Sequence, residues 1–198
     1  MKISKGWIIL IVVVVVVIIL FSWGKGTFNN LVSKEETVNQ QWANVENVYQ
    51  RRSDLIPNLV NTVKGVANFE QKTLTDVIEA RAKATSVQIN PKNLDEASLQ
   101  QFQANQDNLS SALARLMVVV EAYPQLKATQ NFSELQAQLE GTENRITVER
   151  MKFNEVAQAY NTYRRSFPSN IFAGIFGFGE KPYFNAVAGA EKAPAVQF

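Results

Sequence analysis

Two charged side chains interrupt apolar helical stripes in this sequence, and they are the first places to look for chemistry. Arg52 falls in the series Trp42, Val45, Tyr49 and Ile56, and Glu149 in the series Leu139, Thr142, Ile146 and Phe153. A carboxylate held in an apolar seam has a raised pKa and can exchange a proton near neutral pH. The structural use is an acid paired with an arginine, which sets helix register, and we prefer that reading. Other catalytic equipment is sparse. The 198 residues include no histidine and no cysteine, which removes Ser–His–Asp and Cys–His nucleophile systems, thiolate zinc sites and histidine-ligated metals. The glycines of GIFGFG lack the lysine and the strand-to-helix setting of a phosphate loop, and nothing has the ligand spacing of an EF-hand. Glu70, Glu79 and Glu155 read as solvated helix faces. We expect no cofactor, no metal and no enzymatic activity.

Arg52 belongs to QRRSDLIPNLVNTVKG, residues 50–65, where Arg51, Arg52, Asp54, Pro57, Asn58 and Lys64 form a candidate interaction or structural motif. Proline inside a helix removes a hydrogen bond and strikes the preceding turn, whereas in a first turn it costs nothing. Asp54 as N-cap would place Pro57 in such a first turn. The apolar stripe nevertheless runs through the proline: Tyr49, Arg52 and Ile56 before it, Leu59, Val63 and Val66 after it. Two geometries follow, a tight corner between two helices or one long helix kinked at Pro57, and the corner is preferred. One arginine is expected to pair with Asp54 or with an acid of the last long helix, leaving the other for a partner.

The elements that carry these residues begin with residues 7–23, WIILIVVVVVVIILFSW, whose polar groups are Ser22 and two indole N–H groups. At 1.5 Å per residue this stretch spans roughly 25 Å, the short end of a membrane-crossing helix. Trp7 and Trp23 at its two ends suit the interfacial belt, and Lys2, Lys5 and Lys25 can reach the headgroups. The exit FSWGKGTF offers no small-x-small cleavage site, so an uncleaved anchor is expected rather than a signal peptide. Lysines tie across the span, Lys2 and Lys5 against Lys25 and Lys34, and the α-amino group tips the balance toward N-in, C-out. That places the remaining residues on the exterior or periplasmic side of the membrane, with the lipid bilayer as one partner.

Gly24 and Gly26 offer a hinge between anchor and bundle. Helix one is expected over residues 28–52 and helix two over 55–85, with Gly65 inside it and Val63, Val66, Val77 and Ala84 as its stripe, widened by Leu59 and Ile78. Asn90-Pro91 breaks the pattern. Helix three starts near Asp95 and carries Leu99, Phe102, Gln106, Leu109, Leu113, Leu116, Val120 and Tyr123 at alternating three- and four-residue steps, a bundle or coiled-coil seam. Helix four is capped at Ser133, continues through Tyr160, Tyr163 and Phe167, and stops at Pro168. The sequence thus divides into an anchor (residues 1–25), a helical bundle (26–168) and a glycine- and aromatic-rich arm (169–198) without a sustained helical period. The arm either packs on the bundle end or offers Phe172, Ile175, Phe176 and Phe178 as an interface. Taking the three anchor-flanking lysines from twenty basic residues leaves seventeen against eighteen acidic ones. A near-neutral bundle gives no electrostatic case for nucleic acid.

QRRSDLIPNLVNTVKG resembles the signature of the LemA family of bacterial membrane-anchored helical proteins. TDVIEARAKA, NEVAQAYNTYRRSFPSNIFA and the GFGEKPYF segment with a terminal Phe198 agree with it. The resemblance covers nearly the whole chain and implies an all-α antiparallel four-helix-bundle-like domain behind a transmembrane helix. It implies no activity, because the family has no common reaction. Two functions are therefore expected: a non-enzymatic envelope scaffold that self-associates and docks a membrane or envelope protein, or a sensor bundle that binds a ligand. With six residues ahead of the anchor, a sensor would signal through a separate partner.

Overall fold

The computed structural model describes residues 5–65, 70–87, 89–91 and 94–185. The described residues form helices and contain no strand: α1 (Lys5–Lys64), α2 (Gln71–Ser86), α3 (Glu96–Val120), the single turn α4 (Pro124–Lys127), α5 (Gln130–Arg165) and α6 (Ser169–Phe176).

α1 overturns two expectations at once. It is one helix of 60 residues, ~90 Å long at the α-helical rise. No corner forms at Pro57, and Gly24 and Gly26 lie inside the helix rather than in a hinge. The proline survives because its structural defect is repaired from outside. Pro57 has no N–H for the Ser53 carbonyl, and Arg81 Nε of α2 donates to that oxygen at 2.9 Å instead. The ring sits on the exposed side of α1, while Tyr49, Arg52, Ile56, Leu59 and Val63 stay buried on the other. Asp54 consequently caps nothing; its carboxylate accepts from Gln50 Nε2 at 2.7 Å. Gly65 follows the last helical residue instead of interrupting helix two, and no neighbouring helix comes within 4 Å of a Cβ placed on it. Close approach occurs at Gly24, where an added Cβ would meet the Phe172 ring at 3.1 Å.

Leu74, Val77 and Ala84 supply the buried stripe of α2, and Ile78 faces outward. Lys2, Val66 and Phe198 lie outside the described residues. α3 starts where expected: the Asp95 carboxylate accepts from the Ser98 N–H at 2.7 Å, and Ser98 Oγ accepts from the Asp95 N–H at 3.3 Å. This capping box also holds the Asp95 carboxyl below its usual pKa, chiefly through the Ser98 N–H. Ala112 is buried in the seam, and Leu113 and Tyr123 are half-buried. α5 begins ahead of Ser133, after Thr129, because Phe132 drops into the core from its first turn. The Ser133 hydroxyl donates back to the Lys127 and Thr129 carbonyls instead of capping.

α1 and α5 run antiparallel along their shared length, since Arg52 meets Glu143, Gln41 meets Glu149 and Lys34 meets Tyr163. α3 runs with α1, bringing Phe102 beside Tyr49 and Ser110 beside Arg52. Two apolar clusters fill the interior. One gathers Leu59, Val63, Val77, Leu116 and Phe132 at the end remote from residues 7–23. The other gathers Trp42, Tyr49, Phe102, Phe153 and Tyr160 on the near side.

The described part of the arm, residues 169–185, is more regular than its composition implied. Residues 169–176 form α6, ended by Gly177 at φ 74°, a conformation glycine tolerates without a Cβ clash. Residues 177–185 then form an extended strap along α5. Asn161 and Asn154, seven residues apart, each pair with the strap backbone as a second strand would. Asn161 Nδ2 donates to the Lys181 carbonyl (2.7 Å) and its Oδ1 accepts the Lys181 N–H (3.0 Å). Asn154 makes the same two bonds with Phe184, both at 2.9 Å. Phe184 stacks on Trp42 at 6.0 Å and meets Phe153 edge-on at 5.4 Å.

Candidate functional site

Arg52 is the buried charge around which the two clusters meet. α1 carries it on the face shared by Tyr49 and Ile56, and 2 % of its surface remains exposed. One terminal nitrogen donates to Ser110 Oγ at 2.8 Å and to Glu143 Oε2 at 2.9 Å. The other donates to Gln106 Oε1 at 2.6 Å and to the Gln106 carbonyl at 3.3 Å. The guanidinium also lies 5.1 Å from the centre of the Tyr49 ring. Gln106 passes the connection on, donating to the Ala84 carbonyl at the end of α2 at 3.2 Å. One side chain therefore ties α1 to α3 and α5 directly and to α2 through a relay. The bonds from this one guanidinium set the register of the helices it joins.

Glu149 does not take the arginine. It accepts from Gln41 Nε2 at 2.6 Å and pairs with Lys152 at 2.8 Å. The Lys152 and Gln41 hydrogen bonds hold its pKa below the ordinary value, which goes against the proton-transfer alternative and leaves the preferred structural reading with a lysine and a glutamine in place of the arginine. Arg51, Asp54, Pro57, Asn58 and Lys64 share the outer surface of α1 and do not converge with Arg52. The signature motif thus has an inner face that holds the fold and an outer polar face.

Two grooves border the knot. One, of about 430 Å³, lies between α3 and α5 and includes Arg52, Leu113, Met117, Leu139 and Glu143. The other, of about 410 Å³, is lined by Glu46, Tyr49, Ser53, Val87 and Phe102. Burial raises the pKa of Glu46 against a weaker contact with the Trp42 indole, and burial likewise raises Tyr49 against Arg150 and Arg52. Glu46 was not singled out from sequence; its position one turn after Trp42 was the available signal. Among the described residues no cluster of three or more acidic groups could hold a metal ion.

A second polar centre fastens the strap. The buried Lys181 ammonium lies 2.8 Å from Glu35 Oε1 and 5.9 Å from the centre of the Tyr160 ring. Tyr160 donates to the Gly179 carbonyl at 2.8 Å, and Arg164 Nε donates to the Phe178 carbonyl at 2.7 Å. Burial first, and Glu35 second, push the Tyr160 phenol up to about 12. Sequence reasoning passed over Asn154, Asn161 and Lys181, although two asparagines a heptad apart in a helix interior were a readable anomaly.

The proposed interface residues divide. Phe172 packs edge-on against Trp23 at 5.7 Å, and Phe28 meets Phe176 at 4.9 Å and Phe178 at 5.7 Å. Ile175 and Phe176 nevertheless remain exposed, as do Trp7 and the other apolar residues up to position 21. One described helix, α1, is long and apolar enough to cross a membrane.

An apolar helical segment continuous with a helical bundle, and a buried arginine that joins its helices, define a membrane-associated all-helical protein. The chain belongs to the LemA family, whose family model matches residues 41–198. It is similar to magnetosome protein MamQ 2 of Paramagnetospirillum magneticum, with 26% identity over 176 residues, covering 79% of this chain and 64% of that protein. MamQ of Magnetospirillum gryphiswaldense is 25% identical over 177 residues, at 80% and 64% coverage. Protein LemA of Metamycoplasma hominis is 22% identical over 148 residues, at 75% and 64% coverage. The chain thus spans about 64% of the length of these relatives.

Proposed function

We propose that this protein is a non-enzymatic, membrane-anchored scaffold that holds a rigid bundle at the exterior face of a bacterial inner membrane. The observation that carries the reading is the continuity of α1: the residues that would cross the bilayer and those that hold the bundle core are one helix. A bundle joined this way keeps a fixed height and orientation above the membrane, which suits a docking platform. The outer face of the motif, with Arg51, Asp54, Asn58 and Lys64, is the polar surface it presents to an envelope protein. Self-association would add avidity to each such contact.

The test places photocrosslinking side chains at Arg51, Asn58 and Lys64 of the full-length protein in its native membrane. A discrete adduct with one polypeptide, another copy or a different protein, is expected at one or more positions. The ligand-binding alternative draws on the two grooves beside Arg52. A metabolite that raises the melting temperature of the detergent-solubilised chain, with no adduct at any position, moves the assignment to that alternative.

A further inference from the structure

Beyond the scaffold reading, and resting on its membrane-spanning α1, we propose that the segment from Phe167 through α6 is a second membrane contact, a short wedge that enters the lipid interface beside the anchor. Three observations converge on it. First, α6 is two-faced. Ser169 and Ala173, four residues apart, are buried against the bundle, whereas Ile171 and Ile175, also four apart, are 50% and 70% exposed and the preceding Phe167 is 81% exposed. Second, its place is set by α1. The Phe172 ring lies against Trp23 and in the space left by Gly24, and Phe176 lies against Phe28. α6 therefore runs in the same sense as α1, and its N-terminal end is the end turned toward the apolar span. Trp23, which Phe172 contacts, is itself exposed and stands two residues beyond the exposed apolar stretch of residues 7–21, so α6 begins beside the end of that stretch. A bilayer that surrounds those residues reaches this face in every molecule, whereas a second copy reaches it only on association.

Third, backbone groups of the entering turn are paired at Asn170 and Ile171. The Asn170 N–H donates to the Ser166 carbonyl at 3.0 Å, the Ile171 N–H donates to the Pro168 carbonyl at 3.1 Å, and Pro168 brings no N–H. Hydrogen-bonded backbone is what a low-dielectric interface admits. Lys25 and Arg165, both exposed and flanking this region, are placed to meet lipid phosphates. The wedge fixes how deeply α1 sits and resists rotation of the bundle about the anchor axis.

The chain has no cysteine, so single cysteines report position directly. The full-length variants Phe167→Cys, Ile171→Cys and Ile175→Cys, with Val13→Cys and Val118→Cys as controls, are labelled with an environment-sensitive nitrobenzoxadiazole and reconstituted in phosphatidylcholine–phosphatidylglycerol vesicles. Retained circular dichroism melting identifies variants that fold. Labels at Phe167, Ile171 and Ile175 are expected to be quenched severalfold more than the Val118 label by lipids carrying a nitroxide near the headgroup, and severalfold less by aqueous iodide. Labels there that respond like Val118 overturn the wedge. Shielding from both quenchers that disappears at low protein-to-lipid ratio assigns the face to a second copy and also overturns it. The Val13 label separates the two readings. Quenching of Val13 by deep-chain nitroxides without quenching at α6 removes the wedge alone, and a water-exposed Val13 removes both the span and the wedge.

Discussion

The Nε of Arg81 lies 2.9 Å from the carbonyl oxygen of Ser53, the acceptor that Pro57 leaves without its helical donor. α1 stays straight enough to carry one buried stripe across the proline because this bond comes from α2. We expect Arg81→Met to lower stability by about 1–2 kcal/mol, the typical cost of orphaning a buried carbonyl. In a Pro57→Ala background the restored backbone N–H can take over, and the loss should shrink to a few tenths of that cost. Denaturant unfolding of the four full-length proteins measures the coupling. Equal losses in both backgrounds would show that Arg81 and Pro57 act independently.

Arg52 and Glu143 should be unequal partners. The arginine is buried and serves Gln106 and Ser110 as well, while the Glu143 carboxylate is half in solvent. Arg52→Ala removes all of those bonds and should cost about 3–5 kcal/mol. Glu143→Gln leaves the buried contacts in place and should cost about 1 kcal/mol or less. Thermal unfolding of both variants ranks them, and a reversed order would move the centre of the knot to the surface carboxylate.

The strap depends on the pairing of Glu35 with Lys181. Glu35→Gln leaves a buried ammonium without its counter-charge, which should cost about 3 kcal/mol and open residues 177–185 to proteolysis. Adding Lys181→Met removes the stranded charge and should recover most of the resistance. Cleavage within the strap is followed by mass spectrometry. A double variant as labile as Glu35→Gln would mean that the strap needs the ion pair itself.

Alkaline pH should loosen the same region. The Tyr160 phenol is raised from 10.0 to about 12 in the folded state, so above pH 10 the unfolded chain ionises first and binds fewer protons. The stability that depends on the neutral phenol is complete below pH 10 and is lost as pH rises toward 12. Tyr160→Phe should flatten the decline between those limits, with a residual slope from Tyr49, whose pKa burial also raises. Melting temperatures across that window decide the matter, and identical slopes in the two proteins would rule out Tyr160 as their source.

Much of this architecture was legible in the residues. The stripe Trp42, Val45, Tyr49 and Ile56 is buried as its spacing required, and of the two partners left open for one arginine, Arg52 takes the acid of α5. Asp95 caps α3, and residues 7–21 are exposed and apolar within the one described helix long and apolar enough to cross a membrane. Periodicity reports which side of a helix is buried, a local property, whereas a capping side chain marked the start only at Asp95 and not at Asp54 or Ser133, where packing set the helix elsewhere. Glu149 is held by partners, as the structural reading required, but they are Gln41 and Lys152 rather than an arginine, because the seam spacing does not specify which side chain another element brings.

By itself, the sequence determined the all-helical class, the apolar segment, the seams and the lack of histidine and cysteine chemistry. Those features depend on residue type and on spacings of three, four and seven, which a single helix already expresses. Tertiary structure alone decided that Pro57 would not break α1, since the compensating donor lies 28 positions away in the chain. It decided likewise that a glycine-rich arm would become a helix and a strap, because Asn154, Asn161 and Glu35 supply partners that the arm's own residues lack. A backbone defect or a weak local propensity is resolved by whatever donor, acceptor or charge another element brings to it, and that placement exists only once the chain has folded.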